Sequence, residues 1–288
     1  MKIISSSSSR ELSLKIAVEL KCDLLDIERK RFPDGEMYIR ILGDFRGEDI
    51  VAVGNTRNDA EIIEFLLMLN AAKENGAGRV IAVIPYFGYA RQHMIYKSGE
   101  PISSMVMLKS VENFCDSLIV VEIHDLGTAR FSRKGLRNVK IVKPLVDYYS
   151  DKKIDYVVSP DDGGLERARE LSGFLNAKSF NIDKKRIDSR TVTMTVPDID
   201  VTGKNIVLLD DMISTGGTII KATNMLKERG ADKVYVSAIH GIFANGSYNE
   251  ISSITQDIVI TDTIFGKWSK ITVAREVAEA VRGVINGA

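Results

Sequence analysis

Two adjacent carboxylates and the short Ser/Thr/Gly loop behind them form the segment of this chain best suited to binding chemistry. A strand predicted over residues 207–209 leads into Asp210 and Asp211, and a helix predicted over 218–229 follows the loop. Small residues let backbone N–H groups approach an anion, and a helix N-terminus adds positive partial charge. The loop therefore suits a phosphate. It consists of Ser214, Thr215, Gly216, Gly217 and Thr218.

The two aspartates beside this loop suit sugar hydroxyls, because ionised carboxylates accept hydrogen bonds from them. A ribose 5-phosphate unit carries both groups. The alternative is structural: a strand, an acid, a Gly-rich turn and a helix recur in α/β folds, and paired aspartates often cap a strand end. The segment is not a Walker loop, since Gly-Lys-Ser/Thr is missing, and it lacks the Gly-x-Gly-x-x-Gly spacing of a dinucleotide site.

An internal repeat indicates which elements position the loop. Residues 47–51 (GEDIV) are echoed by 203–207 (GKNIV), and residues 73–80 (KENGAGRV) by 227–234 (KERGADKV). In both halves the first echo opens a predicted strand. The second ends a helix at glycine, a common residue after a helix, and begins another strand. We therefore predict two tandem α/β domains, residues 1–142 and 143–288.

The predicted strands are rich in valine and isoleucine and alternate with helical stretches, which is typical of mostly parallel sheets flanked by helices. A last helix with one apolar face is predicted over 272–285. The first half has Gly54 and Asn55 where the second has the acid pair, and it lacks the glycine loop. Only the C-terminal domain is therefore expected to hold the sugar phosphate. The other strands are predicted at 2–4, 80–84, 118–123, 156–158, 234–239 and 257–260.

The composition argues against several classes of function. The chain has 288 residues with 39 basic and 39 acidic side chains, so no net positive field favours nucleic acid or an anionic membrane. No apolar run approaches the ~20 residues of a membrane span, and the first residues lack a secretory apolar core. Cys22 and Cys115 have no metal-like spacing. We expect both thiols to be reduced in a cytoplasmic protein without nucleic-acid or membrane partners.

The segment at 207–218 resembles the signature of the phosphoribosyltransferase superfamily: an apolar strand, Asp-Asp, and Thr-Gly-Gly-Thr. The chain as a whole resembles ribose-phosphate diphosphokinases, also called phosphoribosyl pyrophosphate synthetases, and among them the archaeal members. The resemblance implies two tandem phosphoribosyltransferase-like domains. Further segments carry it: 32–36 (FPDGE), 85–92 (PYFGYARQ), 122–124 (EIH), 158–161 (VSPD) with Gly163 and Gly164, and 184–186 (KKR).

The resemblance also implies the reaction and its ligands. The diphosphoryl group of ATP would pass to O1 of ribose 5-phosphate, giving 5-phosphoribosyl 1-diphosphate and AMP for nucleotide biosynthesis. Asp210 and Asp211 would bind the 2- and 3-hydroxyls of ribose 5-phosphate or a magnesium ion held against them, and loop 214–218 would bind its 5-phosphate. ATP would be bound by Phe32, Asp34, Gly35, Glu36, Arg91 and Gln92.

Metal and catalytic roles follow from the same resemblance. His124 and Asp161 would be ligands of a Mg²⁺ cofactor, with His124 bound directly or through water. Lys184 and Arg186 would lie on a mobile catalytic loop and stabilise the charge that gathers on phosphoryl oxygens.

Assembly is a further implication of the resemblance. In the family the segment corresponding to 32–36 serves the ATP site of a neighbouring subunit, so a homo-oligomer, a dimer or larger, is implied. Residues 125–133 (DLGTARFSR) depart from the Gln-x-Gln-Gly-Phe-Phe stretch that bacterial members use for packing and allosteric control, so a smaller oligomer is expected. His93, next to Gln92, is expected to be a solvated neighbour.

Two rival interpretations stay open at this point. A plain phosphoribosyltransferase, with a free base as acceptor, fits the Asp-Asp loop equally well. It leaves the duplicated domain, the Arg-Gln pair at 91–92 and the basic segment 184–186 unexplained. A non-catalytic partner that regulates a true synthetase would carry insertions or altered catalytic positions, and the sequence shows none.

Overall fold

The computed structural model describes residues 1–186 and 192–287, and for 184–186, 192 and 193 it describes the backbone alone. The described residues form two compact units. The first contains Met1–Lys140, Thr263–Phe265 and the segment from Val273 onward. The second contains Ile141–Asp262 and Gly266–Thr272. A large apolar cluster is buried in each unit.

Strands and helices alternate along most of the chain. The strands are β1 (Lys2–Ser5), β2 (Ile27–Arg31), β3 (Met37–Ile41), β4 (Asp49–Val53), β5 (Arg79–Ile84), β6 (Ser117–Val121), β7 (Leu136–Val139), β8 (Tyr156–Ser159), β9 (Lys178–Asn181), β10 (Asp183–Arg186), β11 (Val192–Thr195), β12 (Asn205–Ile213), β13 (Lys233–Gly241), β14 (Asp257–Thr261) and β15 (Ser269–Ile271). The helices are α1 (Arg10–Leu20), α2 (Asp59–Glu74), α3 (Ser103–Glu112), α4 (Lys143–Tyr149), α5 (Leu165–Phe174), α6 (Gly217–Glu228), α7 (Ser247–Ile254) and α8 (Ala274–Ile285). Among the described residues, no helix is both long and apolar enough to cross a bilayer.

Each unit is built on a parallel sheet. The strand order is β1-β4-β5-β6-β7 in the first and β15-β14-β13-β12-β8-β9 in the second. The inner strands are apolar on both faces and buried, as helix-covered parallel sheets require. The two parallel sheets with flanking helices confirm the predicted fold class. Because the strands run in one direction, their carboxyl ends meet at one edge of each sheet, where ligands bind in such folds.

The predicted repeat is visible in matching backbone bonds. The Gly47 N–H donates to the Gly76 carbonyl at 2.7 Å, and the Gly203 N–H donates to the Gly230 carbonyl at 2.8 Å. All four glycines have positive φ, between 66° and 89°. Each pair joins the turn before a strand to the turn after the next helix. The units β4–α2–β5 and β12–α6–β13 are therefore built alike.

Two details of the second unit differ from the prediction. The strand expected to end at residue 209 continues through the acid pair to Ile213, because β13 pairs with it as far as Gly241. The antiparallel pair β10–β11, like β2–β3 in the first unit, was not predicted. Both hairpins lack the continuous apolar run that marked the parallel strands.

The C-terminal helix departs from the predicted division at residue 143. α8 lies against α1, β6 and β7 and belongs to the first unit. Its apolar face is buried, with Val277 and Val281 at 0% exposure. Arg137 donates to the Ala280 carbonyl at 3.2 Å, and Arg79 donates to the Ile285 carbonyl at 3.4 Å. The apolar stripe was visible in the sequence, but its periodicity does not say which sheet covers it.

Substitution of Val277 tests how much α8 stabilises the protein. Val277→Asp would bury an unpaired charge, so the free energy of unfolding should fall by about 3 kcal/mol or more. Glu279→Ala on the exposed side of the same helix should cost less than about 0.5 kcal/mol. Urea unfolding followed by circular dichroism measures both. Equal stability of the two variants would show that the helix does not stabilise the fold.

The Asp49–Arg79 ion pair predicts an acid-dependent contribution to stability. Arg79 binds both carboxylate oxygens, at 3.0 and 2.6 Å, and these bonds lower the pKa of Asp49. Because the folded-state pKa is lowered, the stabilisation is present above the unfolded-state pKa and is lost as pH falls through the folded-state value. Asp49→Asn should therefore cost about 1 kcal/mol at pH 7 and progressively less below about pH 4. Urea unfolding from pH 7 to pH 3 measures this difference, and a pH-independent difference would refute it.

Candidate functional site

The acid pair lies inside β12, close to its carboxyl end. Asp211 is 8% exposed and Asp210 is partly exposed. The Asp211 N–H donates to Asp210 Oδ1 at 2.8 Å. Burial, the adjacent carboxylate of Asp211 and the charge of Asp161 raise the pKa of Asp210 well above its ordinary value. A ligand that brings hydroxyl donors or a cation to these oxygens would therefore stabilise them.

The loop after β12 ends at a helix start without a side-chain cap. α6 begins at Gly217, and its N-cap, Gly216, has a φ of +79° and no side chain that could accept a hydrogen bond. The first N–H groups of a helix have no acceptor within it. The start of α6 therefore offers the backbone donors that a phosphate requires.

The segment after β13 supports this loop. The Ile213 carbonyl accepts hydrogen bonds from the N–H groups of Ile242 and Phe243, at 2.9 and 3.2 Å. A Cβ atom at Gly216 would lie 3.0 Å from Ser247 Cβ. The loop is thus tied to β13 and packed against α7, and its position does not depend on its own residues alone.

The corresponding helix N-terminus in the first unit is that of α2, and it is capped by side chains of the chain itself. Asn58, the N-cap of α2, accepts from the Glu61 N–H at 3.1 Å. The Glu61 carboxylate accepts from the N–H of Arg57 at 3.1 Å and from its guanidinium at 2.9 Å. This capping places a carboxylate where a phosphate would bind. The difference is a physical reason to expect the sugar phosphate in the second unit.

Asp161 follows β8, which is the neighbour of β12 in the sheet. Its charge contributes to the raised pKa of Asp210, so the two predicted site segments share one electrostatic environment. Carboxylate oxygens suit Mg²⁺, which in proteins usually keeps waters and takes further ligands from substrate phosphates. Within the described part of the chain, no three or more His, Cys, Asp and Glu side chains are grouped so that they could hold a metal ion.

The two predicted catalytic cations lie on the β10–β11 hairpin of the second unit. Lys184 pairs with Met194 and Arg186 pairs with Val192 in antiparallel register. The side chains of Lys184 and Arg186 lie outside the described residues. Their catalytic role stays a prediction.

The predicted adenine segment forms the turn between β2 and β3 in the first unit. The Phe32 N–H donates to the Glu36 carbonyl at 2.9 Å, and the Glu36 N–H donates to Asp34 Oδ1 at 3.1 Å. Gly35 has a φ of +95°, which favours glycine. Phe32 packs edge-on to Tyr38 and is still 52% exposed. The turn therefore presents an aromatic ring at the surface.

Residues at the end of β4 fix the loop that follows β5. Asn55 is buried, and its side chain accepts from the Tyr86 N–H at 2.8 Å. The Gly88 N–H donates to the Thr56 hydroxyl at 2.9 Å. A Cβ at Gly88 would lie 2.0 Å from the Thr56 carbonyl oxygen, so the close approach requires glycine. In the repeat, Asn55 occupies the position that Asp211 has in the second half. This difference in sequence indicated that the first half has a different role.

Arg91 and Gln92 lie at the end of this loop and differ in their exposure to solvent. Gln92 Oε1 accepts from the Ser103 hydroxyl at 2.5 Å, and the Gln92 carbonyl accepts from the Ser104 N–H at 3.2 Å. Arg91 is exposed. Gln92 is therefore bound to the start of α3, while the guanidinium of Arg91 keeps access to solvent.

His124 follows an unusual backbone conformation at the end of β6. Glu122 is buried and has a φ of +42°, which is uncommon for a residue with a Cβ. The Glu122 N–H donates to the Val139 carbonyl at 3.0 Å, and the Ile123 N–H donates to Asn138 Oδ1 at 2.9 Å. His124 is exposed. Conformations of this kind cluster at functional sites.

The prediction that His93 is a solvated neighbour is wrong. Its Nε2 atom lies 2.8 Å from Asp125 Oδ2, and 20% of its side chain is exposed. The contact joins the loop after β5 to the segment after β6, which are adjacent in the sheet. Sequence reasoning missed it because the two residues are distant in sequence. The sequence offered one indication: His93 directly follows Gln92, and Asp125 directly follows His124, both of which are predicted site residues.

Two family models match the chain. The N-terminal domain of ribose phosphate pyrophosphokinase matches residues 1–114, and the phosphoribosyl transferase domain matches residues 138–274. The ribose-phosphate pyrophosphokinase of Thermoplasma acidophilum is 46% identical over 283 residues, which cover 98% of this chain and 99% of the relative. That of Pyrococcus furiosus is 39% identical over 280 residues, covering 96% and 99%.

A solved structure extends the similarity to the fold. The crystal structure of phosphoribosylpyrophosphate synthetase from Mycobacterium smegmatis matches with a TM-score of 0.88 and 26% identity, covering 100% of this chain and 99% of the other. The similarity therefore includes both parallel sheets, and the identity to the archaeal relatives is high over nearly the whole length. The chain belongs to the ribose-phosphate pyrophosphokinase family.

Proposed function

We propose that this protein transfers the β,γ-diphosphoryl group of ATP to O1 of ribose 5-phosphate, which gives 5-phosphoribosyl 1-diphosphate and AMP. Its family membership supports this reaction. The structural observation that carries the proposal is the uncapped start of α6 beside the acid pair of β12. It combines donors for a phosphate with acceptors for ribose hydroxyls.

The sugar phosphate would be bound by the second unit. Backbone N–H groups and hydroxyls of loop 214–218 would hold the 5-phosphate at the N-terminus of α6. Asp210 and Asp211 would accept hydrogen bonds from the ribose 2- and 3-hydroxyls. Donors at these oxygens offset the repulsion that raises the pKa of Asp210.

The nucleotide would be bound by residues of the first unit. Phe32 would stack on the base, and Asp34 and Glu36 would accept from its exocyclic amine. Arg91 would bind phosphate oxygens through its planar fork of donors. Gln92, oriented by Ser103, would reach sugar or phosphate.

The chain contributes mainly positioning and charge to this reaction. Mg²⁺, for which Asp161 and His124 are the proposed ligands, the latter directly or through water, would neutralise phosphate charge when bound. No side chain stands out as a general base for the anomeric hydroxyl. Alignment of this hydroxyl with the β-phosphorus can supply much of the acceleration.

Assembly and location are parts of the same proposal. A homo-oligomer in which the turn at 32–36 completes the ATP site of a neighbouring subunit would explain why an apolar ring is exposed at its tip. The two free cysteines support a cytoplasmic location, where thiols stay reduced.

The assay of the reaction is direct. Incubation with ATP, Mg²⁺ and ribose 5-phosphate should give AMP and 5-phosphoribosyl 1-diphosphate in equal amounts, and omission of Mg²⁺ or the sugar phosphate should abolish both. Turnover by the purified chain alone would exclude a purely regulatory partner. Diphosphate release from 5-phosphoribosyl 1-diphosphate and a free base, without AMP formation, would identify a plain phosphoribosyltransferase instead.

Alanine substitution tests the two proposed catalytic cations. Lys184→Ala and Arg186→Ala should each lower kcat by about 100-fold or more, because preorganised cations stabilise transition-state charge. Lys178→Ala, on the exposed surface of β9, is the matched control and should change kcat less than about twofold. Steady-state assays of AMP formation measure all three. A loss in the control equal to that in the two variants would contradict the assignment.

Alanine substitution of two glycines with similar backbone conformations distinguishes the effect of backbone strain from an effect on phosphate binding. Gly216 and Gly246 have φ values of +79° and +75°. A Cβ at Gly216 meets Ser247 and Ile251 at 3.0 Å, whereas a Cβ at Gly246 has nothing within 4 Å. Both alanine variants should lose about 1–2 kcal/mol of stability from the left-handed conformation.

Only Gly216→Ala should weaken ribose 5-phosphate binding, by about 10-fold or more, since it displaces the loop at the start of α6. Titration calorimetry with ribose 5-phosphate gives the dissociation constants, and urea unfolding gives the stabilities. Unchanged affinity in Gly216→Ala would place the phosphate elsewhere.

A further inference from the structure

His93 and Asp125 join two segments at the carboxyl edge of the first sheet, the loop after β5 and the segment after β6. His93 Nε2 and Asp125 Oδ2 are 2.8 Å apart. His93 directly follows the Arg91-Gln92 pair, and Asp125 directly follows His124. Any displacement of either segment therefore stretches this contact.

The Asp125 carboxylate is held on both oxygens. Its Oδ1 atom accepts from the Gly127 N–H at the start of the 3-10 turn Leu126–Phe131, and Oδ2 faces His93. A Cβ at Gly127 would lie 2.7 Å from Asp125 Oδ1, so a larger residue here would displace the carboxylate. A carboxylate fixed at both ends orients its partner more precisely than one that rotates freely.

Tyr96 also contacts the imidazole ring of His93, and its hydroxyl lies 3.4 Å from Nε2, the nitrogen that faces Asp125. Tyr96 packs edge-on to the imidazole with ring centroids 5.9 Å apart, and the Tyr96 hydroxyl lies 3.4 Å from the Arg91 carbonyl. Among the described residues, His93 Nδ1 is buried and has no hydrogen-bond partner. Since Nε2 faces a carboxylate oxygen, which accepts, we assign the proton to Nε2 and treat the contact as a hydrogen bond donated to Asp125.

We propose that the His93–Asp125 hydrogen bond is a positioning pair for nucleotide binding: it holds the Arg91-Gln92 segment and His124 in one fixed arrangement. This inference rests on the proposed function, because it takes ATP phosphates and their Mg²⁺ as the ligands of those segments. In this role His93 and Asp125 position the two segments and do not themselves bind the substrate. Together they fix the backbone from which Arg91 and His124 extend, so that less conformational freedom of these segments is lost on binding.

Two substitutions separate this role from simple turn formation. Asp125→Asn keeps an oxygen for the Gly127 N–H, since asparagine is a good cap, but it places an amide group toward His93. His93→Gln keeps a donor N–H near the position of Nε2, whereas His93→Ala removes it. Asp26→Ala, which removes an exposed carboxylate paired with Arg10 at 3.3 Å, is the matched control.

Titration calorimetry with Mg·ATP in the absence of ribose 5-phosphate is the first measurement. The dissociation constant should rise about 10-fold in Asp125→Asn and in His93→Ala, consistent with loss of one hydrogen bond to a charged group. It should rise less than about threefold in His93→Gln and stay unchanged in Asp26→Ala. The double variant Asp125→Asn/His93→Ala should bind no more weakly than either single variant, because the two residues act as a unit.

Steady-state assays of AMP formation are the second measurement. The KM for ATP should rise as the calorimetric constant does, while the KM for ribose 5-phosphate stays within about twofold. A merely structural role would lower the amount of folded enzyme and leave both KM values unchanged. Wild-type affinity for Mg·ATP in Asp125→Asn, failure of His93→Gln to restore binding, or an equal rise in both KM values would overturn the inference.

The two proposals fail differently. If the wild-type enzyme makes AMP but the variants bind Mg·ATP normally, only the positioning role is wrong. If the wild type binds Mg·ATP and the variants bind it weakly, but no AMP appears with ribose 5-phosphate, the positioning role stands and the proposed reaction is wrong. If the wild type does not bind Mg·ATP, both are wrong.

Discussion

The first N–H groups of a helix require hydrogen-bond acceptors, and the two units meet this requirement differently. The proposed assignment of the sugar phosphate to the second unit depends on this difference. In α2 the requirement is met internally, since Asn58 and Glu61 cap the helix and Arg57 binds Glu61. In α6 the N-cap is Gly216, which has no side chain to offer. The two units repeat the same strand–helix–strand arrangement, so this local difference is enough to leave one helix start available to an anion.

The acid pair of β12 depends on the same loop. Two carboxylates side by side in a strand repel each other, and burial makes their ionisation costly, as the raised pKa of Asp210 reflects. Such a pair is poorly stabilised by the chain itself and is better stabilised with a bound polyol or cation. The proposed site would therefore be complementary to its ligand, because bound hydroxyl donors or a cation would offset the repulsion between the two carboxylates.

Sequence reasoning succeeded where the signal was local or repeated. The two echoed segments predicted β4–α2–β5 and β12–α6–β13, and apolar runs predicted the parallel strands. It failed where tertiary contacts decide the outcome. β12 extends past the acids because β13 pairs with it, α8 packs on the first unit although its stripe fits either sheet, and His93 meets Asp125 only because β5 and β6 are neighbours. None of these partners can be read from spacing along the chain.

The return of α8 to the first unit has a consequence for biosynthesis. The chain leaves the first unit at Lys140, builds the second, and supplies α8 to the first sheet only afterwards. As the polypeptide emerges from the ribosome, the second unit is therefore complete before the first. Until α8 has been synthesised, the nascent first unit exposes the surface of β6 and β7 that this helix will cover. That uncovered surface is where chaperones would be expected to engage the growing chain.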